Sequence, residues 1–262
     1  MDLGLRDRVA LVCGGSSGLG YAVAEGLRAE GVTIALNGRG QDKLAAAVKR
    51  LGGAAAGVAG FAADVSHPSA CSSLVESVHR ALGGPDILLC NAGGPPAGQF
   101  DQHDEAAWQR ALDTSLLSTV HLCRAAVPHM AARGWGRILC LTSVAARQPS
   151  PALILSTTAR AGVLGFAKAL ADEVATAGIT VNVLCPGLFG TDRLRELAAA
   201  RGQREGKSAE AMLADMGAAV PMRRIGDPGE FAAAVTFLAS EPARYITGTV
   251  LSVDGGLTRA IL

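Results

Sequence analysis

The chain has 262 residues, 24 lysines and arginines against 23 aspartates and glutamates, and 49% hydrophobic side chains. A formal charge of +1 excludes the basic footprint by which proteins hold nucleic acid or anionic membrane. The hydrophobic share is that of a core-rich protein, and only two tyrosines occur, Tyr21 and Tyr245.

The first apolar run, residues 9–13, is shorter than the ~7 residues of a signal-peptide core. The longest run of small apolar residues, 52–63, falls short of the ~20 needed to span a bilayer. A cytoplasmic protein with no membrane partner is the expectation. Seven short β-rich runs then follow in chain order, at 9–13, 32–37, 58–63, 87–90, 138–141, 181–185 and 250–253. Between them lie alanine-rich segments with helical periodicity, such as Tyr21, Val23, Ala24 and Leu27, and later Phe231, Val235 and Leu238. Strands that are apolar almost throughout, alternating with helices, predict a parallel sheet buried on both faces. Right-handed crossovers make it a doubly wound, seven-stranded, Rossmann-type α/β fold, with residues 1–262 as a single domain. The polar stretch 193–217 fits either an exposed helical hairpin or a lid, and the region 187–220 is expected on the substrate side.

The first strand leads into Cys13-Gly14-Gly15-Ser16-Ser17-Gly18-Leu19-Gly20, with a helix expected to open at Tyr21. Glycines there permit positive φ and close backbone approach, and a helix N-terminus offers free N–H groups to a pyrophosphate. The loop therefore predicts dinucleotide binding. At the end of the second strand, Leu36-Asn37-Gly38-Arg39 carries no carboxylate to accept from a ribose 2′-hydroxyl. Arg39 can instead pair with a 2′-phosphate, which favours NADP(H) over NAD(H); otherwise it is a solvated loop residue.

Gly14-x-x-x-Gly18-x-Gly20, Asn91-Ala92-Gly93, Asn182, Pro186-Gly187, Thr191 and the closing stretch from Tyr245 to Gly256 together resemble the short-chain dehydrogenase/reductase family, particularly its 3-oxoacyl-carrier-protein-reductase-like members. The resemblance spans essentially the whole chain. It implies an NAD(P)-binding homotetramer or homodimer acting on small ketones or secondary alcohols. Gly14, Ser16, Ser17, Gly18, Leu19 and Gly20 would then form the cofactor loop, Asp64 and Val65 would lie beside the adenine, and Asn91, Ala92 and Gly93 would follow the central strand. Residues from Pro186 and Gly187 to Thr191 would flank the nicotinamide.

The family's carbonyl reducers use a Ser, an Asn, and a Tyr and Lys spaced as Tyr-x-x-x-Lys. The phenol protonates the alkoxide left by hydride addition, and the nearby ammonium lowers the phenol's pKa. Ser143 matches the family serine, but Ser156 stands at the tyrosine's place, Arg160 at the lysine's and Ser115 at the asparagine's. Tyr21 is followed four residues on by Glu25 and Tyr245 by Thr249, so neither tyrosine restores the motif. Spacing of four puts Ser156 and Arg160 on one helical face, aimed at the site. A serine hydroxyl is a poor acid and a guanidinium does not relay protons. What remains is binding: Arg160 to the nicotinamide ribose, Ser143 and Ser156 to a carbonyl oxygen. Two functions follow, an oxidoreductase with an atypical site, or a nucleotide-binding pseudoenzyme serving as a regulatory or structural partner in an oligomer.

Cys13, Cys90, Cys140 and Cys185 close neighbouring strands in a row of ~14 Å, too long to wrap one tetrahedral metal. They read as small apolar residues beneath the cofactor loops, or as the basis of oxidant-sensitive nucleotide binding. His67, His79, His103, His121 and His129 lack metal spacing. Arg147 reads equally as a contact for an anionic substrate or as a solvated residue.

Overall fold

The computed structural model describes residues 1–260. Its strands are β1 (Val9–Val12), β2 (Thr33–Gly38), β3 (Val58–Ala62), β4 (Ile87–Cys90), β5 (Gly136–Leu141), β6 (Ile179–Pro186) and β7 (Val250–Val253). All pair in parallel, in the order β3-β2-β1-β4-β5-β6-β7. The helices are α1 (Gly18–Ala29), α2 (Gln41–Arg50), α3 (Pro68–Leu82), α4 (Glu105–Leu112), α5 (Ser118–Arg133), α6 (Ile154–Val174), α7 (Asp192–Glu205), α8 (Ala209–Ala219) and α9 (Pro228–Ala239). No helix among the described residues is long and apolar enough to cross a membrane.

Side-chain alternation divides the sheet between two cores. Ala10, Val12, Leu89, Leu139 and Leu184 face a layer built by α1, α2 and α9. Leu11, Leu88, Ile138 and Val183 face α3, α5 and α6. Every residue of β1, β4 and β6 is buried, as an interior parallel strand requires. The edge strands β3 and β7 depart from that expectation, because one lateral neighbour and incomplete helical cover leave part of each exposed.

At the amino ends of the strands, Trp135 lies between two guanidinium groups, Arg8 at 3.8 Å and Arg137 at 4.2 Å from its ring centroid. Arg137 is only 2% exposed; its Nη2 donates to Glu241 Oε2 at 2.8 Å and its Nη1 to the Gly136 carbonyl at 2.9 Å. Planar stacking and satisfied donors are what make so deep a cation tolerable.

All six cysteines belong to the core on the α3, α5 and α6 side. Cys90 and Cys140 are register partners, and Cys123 of α5 approaches Cys90 with the sulfurs 4.0 Å apart. Burial pushes the Cys13 thiol up, raises Cys71 to about 11 and raises Cys185. Hydrogen bonds from Cys123 and Cys90 act the other way and lower the Cys140 thiol, but all six cysteines are buried, and a thiol that a reagent does not reach is inert. We expect maleimide to label none of the six in the native protein and all six in denaturant, counted by mass spectrometry. Dinucleotide affinity is then unchanged by maleimide treatment of the folded protein.

Candidate functional site

The winding reverses between β1 and β4, and the crevice there opens at the carboxyl ends of the strands, where open α/β sheets bind ligands. The glycine-rich loop forms one lip. α1 begins at Gly18, three residues before the expected start at Tyr21, so Gly18, Leu19 and Gly20 are its first turn. Ser17 caps it with extended backbone and no side-chain hydrogen bond, leaving the first-turn N–H groups free for an anion. Gly14 and Gly18 have φ of 59° and 57°, and a Cβ on Gly20 would lie 2.4 Å from the Gly14 carbonyl oxygen. Only glycine permits this fold of the loop back on itself.

Asn91, just past β4, forms the other lip. Its Nδ2 donates to the carbonyls of Cys13 and Gly14, both at 3.3 Å, tying β4 to the loop after β1. Asn37 ties the end of β2 to β3 through bonds to Phe61 O and Ala63 O at 2.9 and 3.2 Å. Asp64 accepts from the Ser66 amide and hydroxyl at 3.0 and 2.8 Å. Partial burial acts to raise its pKa, but the Ser66 bonds and the charges of Arg39 and His67 prevail and lower it.

These residues line a cleft of about 400 Å³. All the expected cofactor residues lie on it except Pro186 and Gly187. Gly187 instead lines a second cavity of about 370 Å³, walled largely by apolar side chains. Leu19, Thr191 and Arg193 line both, so the two spaces are adjacent.

The four expected catalytic residues are distributed across this geometry. Ser143 borders the second cavity and caps a short 3-10 turn at Val144–Ala146, its Oγ accepting from Ala145 N at 3.2 Å while its O–H stays free to donate. Arg160 borders the cleft and donates from Nη1 to Thr142 O at 2.7 Å; its Nε is buried without a partner. Burial pushes this guanidinium's pKa down, with the nearby Cys185 acting in the opposite sense. Ser156 lies in the first turn of α6, is 9% exposed and lines neither space. It shares a face with Arg160, but only the longer side chain reaches the cleft. Ser115 sits in a π-helical turn, Asp113–Leu117, with its hydroxyl buried and unpartnered; its neighbour Thr114 lines the cleft instead.

Arg147 is half-buried, and its Nη1 donates to Ser252 Oγ on β7 at 3.0 Å. Among the histidines, His79 and His129 stack with ring centroids 4.2 Å apart, and no metal-holding cluster occurs among the described residues. The stretch 193–217 is a helical hairpin, α7 and α8, with Leu194 and Leu197 of α7 lining the second cavity. Sequence reasoning placed Phe189 and Arg193 only within the substrate-side region 187–220 and missed Thr114, Leu153, Leu257 and Thr258. Thr191 was a legible signal for α7: its Oγ1 accepts from Leu194 N at 3.3 Å, an N-cap ahead of an apolar face. Nothing local marks Leu257 or Thr258.

A family model described as Enoyl-(Acyl carrier protein) reductase matches residues 14–258. The chain is 37% identical to the nodulation protein G of Azospirillum brasilense, over 97% of this chain and 99% of that protein. It is 35% identical to an acetoacetyl-CoA reductase of Rhizobium meliloti, over 95% and 98% of the two chains. Among solved structures, L-sorbose reductase from Gluconobacter frateurii, complexed with NADPH and L-sorbose, superposes with a TM-score of 0.95 at 34% identity over 100% of both chains. An actinorhodin polyketide ketoreductase variant with NADPH gives 0.92 at 31% identity, over 97% of this chain and 98% of that one. The doubly wound sheet and its loop at the winding reversal define a Rossmann-type dinucleotide fold. The chain belongs to the short-chain dehydrogenase/reductase family of oxidoreductases.

The crowding at Gly20 sets a test. Gly20→Ala should displace the loop and weaken dinucleotide binding at least about tenfold, read by calorimetry, with a loss of about 1–3 kcal/mol of stability in urea titration. Gly40→Ala, where a Cβ meets nothing within 4 Å, should leave both within error.

Proposed function

We propose that the protein is an NADP(H)-dependent oxidoreductase interconverting a carbonyl and a secondary alcohol, with a proton supply that differs from a Tyr-x-x-x-Lys site. The observation that carries this reading is the adjacency of the two spaces: a loop shaped for a pyrophosphate and an apolar cavity bordered by Ser143 share Leu19, Thr191 and Arg193 as lining residues. The NADPH-complexed relatives support it, as do the relatives whose names make them reductases of carbonyl compounds.

The residues present fit a dinucleotide. The Gly20 cradle excludes even a methyl group, the first turn of α1 presents free N–H groups, and Arg160 Nε is an orphaned donor at the cleft. When bound, the cofactor supplies the hydride. Arg39 would pair with a 2′-phosphate, and the absence of any carboxylate at Gly38 removes the group that would repel it. Arg160 holds ribose hydroxyls, and the Ser143 O–H donates to the substrate oxygen as negative charge develops there.

Ser156 cannot act as the acid that a phenol would be, so the last proton comes from cavity water or from the substrate itself. A positioned general acid contributes ~10² to 10⁴ in rate, so turnover should be slow rather than absent. Closure of the α7–α8 hairpin over the cavity belongs to the same reading, as do a reducing, cytoplasmic setting for the free thiols and assembly as a homodimer or homotetramer. Exposed Phe237 on α9 and Leu251 on the edge strand β7 favour the assembly.

NADPH oxidation across 3-oxoacyl thioesters, quinones and diketones should show slow turnover with at least one class. Tight NADPH binding with no turnover on any of them assigns a nucleotide-binding, non-catalytic role instead. Ser156→Tyr combined with Arg160→Lys should raise the rate at least about tenfold if the scaffold already orients substrate. Separately, Arg39→Ala should raise the Kd for NADPH about tenfold and leave that for NADH within about twofold, measured by fluorescence titration.

A further inference from the structure

We infer that the second cavity takes an apolar carbonyl compound bearing an anionic group, and that Arg193 is the residue that reads the anion. The inference rests on the oxidoreductase reading above and names its substrate class.

Five side chains, Leu153, Phe189, Leu194, Leu197 and Leu257, give the cavity an apolar wall. Its volume of about 370 Å³ lies in the range of small-molecule sites. Ser143, Gln148, Ser150, Thr191 and Thr258 also border the cavity, but hydroxyls set against the leucine and phenylalanine wall would lack partners, so that side favours a hydrocarbon or aromatic body. No aspartate or glutamate lines the cavity, and the single charged side chain that does is Arg193.

Arg193 stands in the first turn of α7, two residues past the N-cap Thr191. Its partner is Glu196, 3.4 Å away on the same helix, with the two side chains 60% and 68% exposed. Such exposed pairs are weak and readily exchanged. A carboxylate arriving at the rim would be shielded from water by the apolar wall and could take two parallel N–H donors from the guanidinium, a stronger arrangement than the existing one. Thr258 lines the same cavity, with its side chain beside the Asp254 carboxylate, to which its backbone N–H also donates at 2.8 Å. Among charged groups the cavity therefore offers one cation and no anion, alongside the neutral polar side chains of Ser143, Gln148, Ser150, Thr191 and Thr258.

Because Arg193 also lines the dinucleotide cleft, the same guanidinium chemistry could serve a phosphate of the cofactor. The two sources separate experimentally. The probes are 4-oxo-4-phenylbutanoate and its methyl ester, identical in ketone and ring and differing in charge. Calorimetry on the NADPH-bound protein should show the acid binding at least about tenfold more tightly than the ester. In Arg193→Gln that preference should vanish, with NADPH affinity changed less than threefold and the melting temperature retained, and Arg193→Lys should restore part of it. Equal affinity for the two probes, no binding of either, or a preference that survives Arg193→Gln would overturn the inference. So would a tenfold loss of NADPH affinity with the preference intact, which would assign Arg193 to a cofactor phosphate. Turnover is read apart from binding. Selective binding of the acid without NADPH oxidation, on this or any carbonyl, refutes the oxidoreductase reading and leaves the specificity standing; turnover without selectivity does the reverse.

Discussion

In a parallel sheet each crossover is right-handed, so chain segments leaving opposite halves of the sheet pass to opposite faces. Between β1 and β4 no crossover bridges the top of the sheet, and a gap opens there. Side chains would fill such a gap, so it persists only if its lips are made of backbone. Gly14, Gly18 and Gly20 supply one lip, and the Asn91 amide clamps the other to it through the Cys13 and Gly14 carbonyls. The position of α1, the exposure of its first N–H groups and the path of the cleft toward the second cavity all follow from that clamp.

Arg160 brings a planar fork of donors to the cleft, where the proposed reading compares it with a point charge. A lysine ammonium can turn its three donors toward whatever is present, and its own pKa is readily shifted by burial. The guanidinium is fixed by its bond to Thr142 O, with further donors carried rigidly in the same plane. It can hold and orient, but it does not pass a proton. Ser156, in the same helix, is too short to reach the cleft, and Ser143 uses one acceptor site on its own turn. On the proposed reading the arrangement is stronger in positioning than in acid catalysis, and orientation alone can account for a large part of a rate enhancement.

The interior strands were legible because a parallel sheet covered on both faces demands unbroken apolar runs, and residues 87–90 coincide with β4. Legibility fell where the demand weakens. The early start of α1 was hidden because glycines read as loop, although here they are the first helical turn. The cleft's loop residues follow one another in the chain and were found together. The second cavity was not legible, since Leu153, Phe189 and Leu257 meet only when β5, β6 and β7 lie side by side. Arg147 escaped for the same reason: its partner Ser252 is 105 residues away. Arg193 carries no local mark at all, being one arginine among several on a polar helix whose orientation depends on the Thr191 cap.

The chain has two tryptophans, and they pack against different clusters of the core. Trp135 is stacked between Arg8 and Arg137 beneath the amino ends of the strands, where only disruption of the sheet alters its surroundings. Trp108 packs against Leu155, the neighbour of Ser156 in the first turn of α6, and meets Phe100 edge to face at 6.4 Å. The protein thus carries two native fluorophores with separate loyalties, one reporting the integrity of the scaffold and the other the helix that holds the reaction's residues.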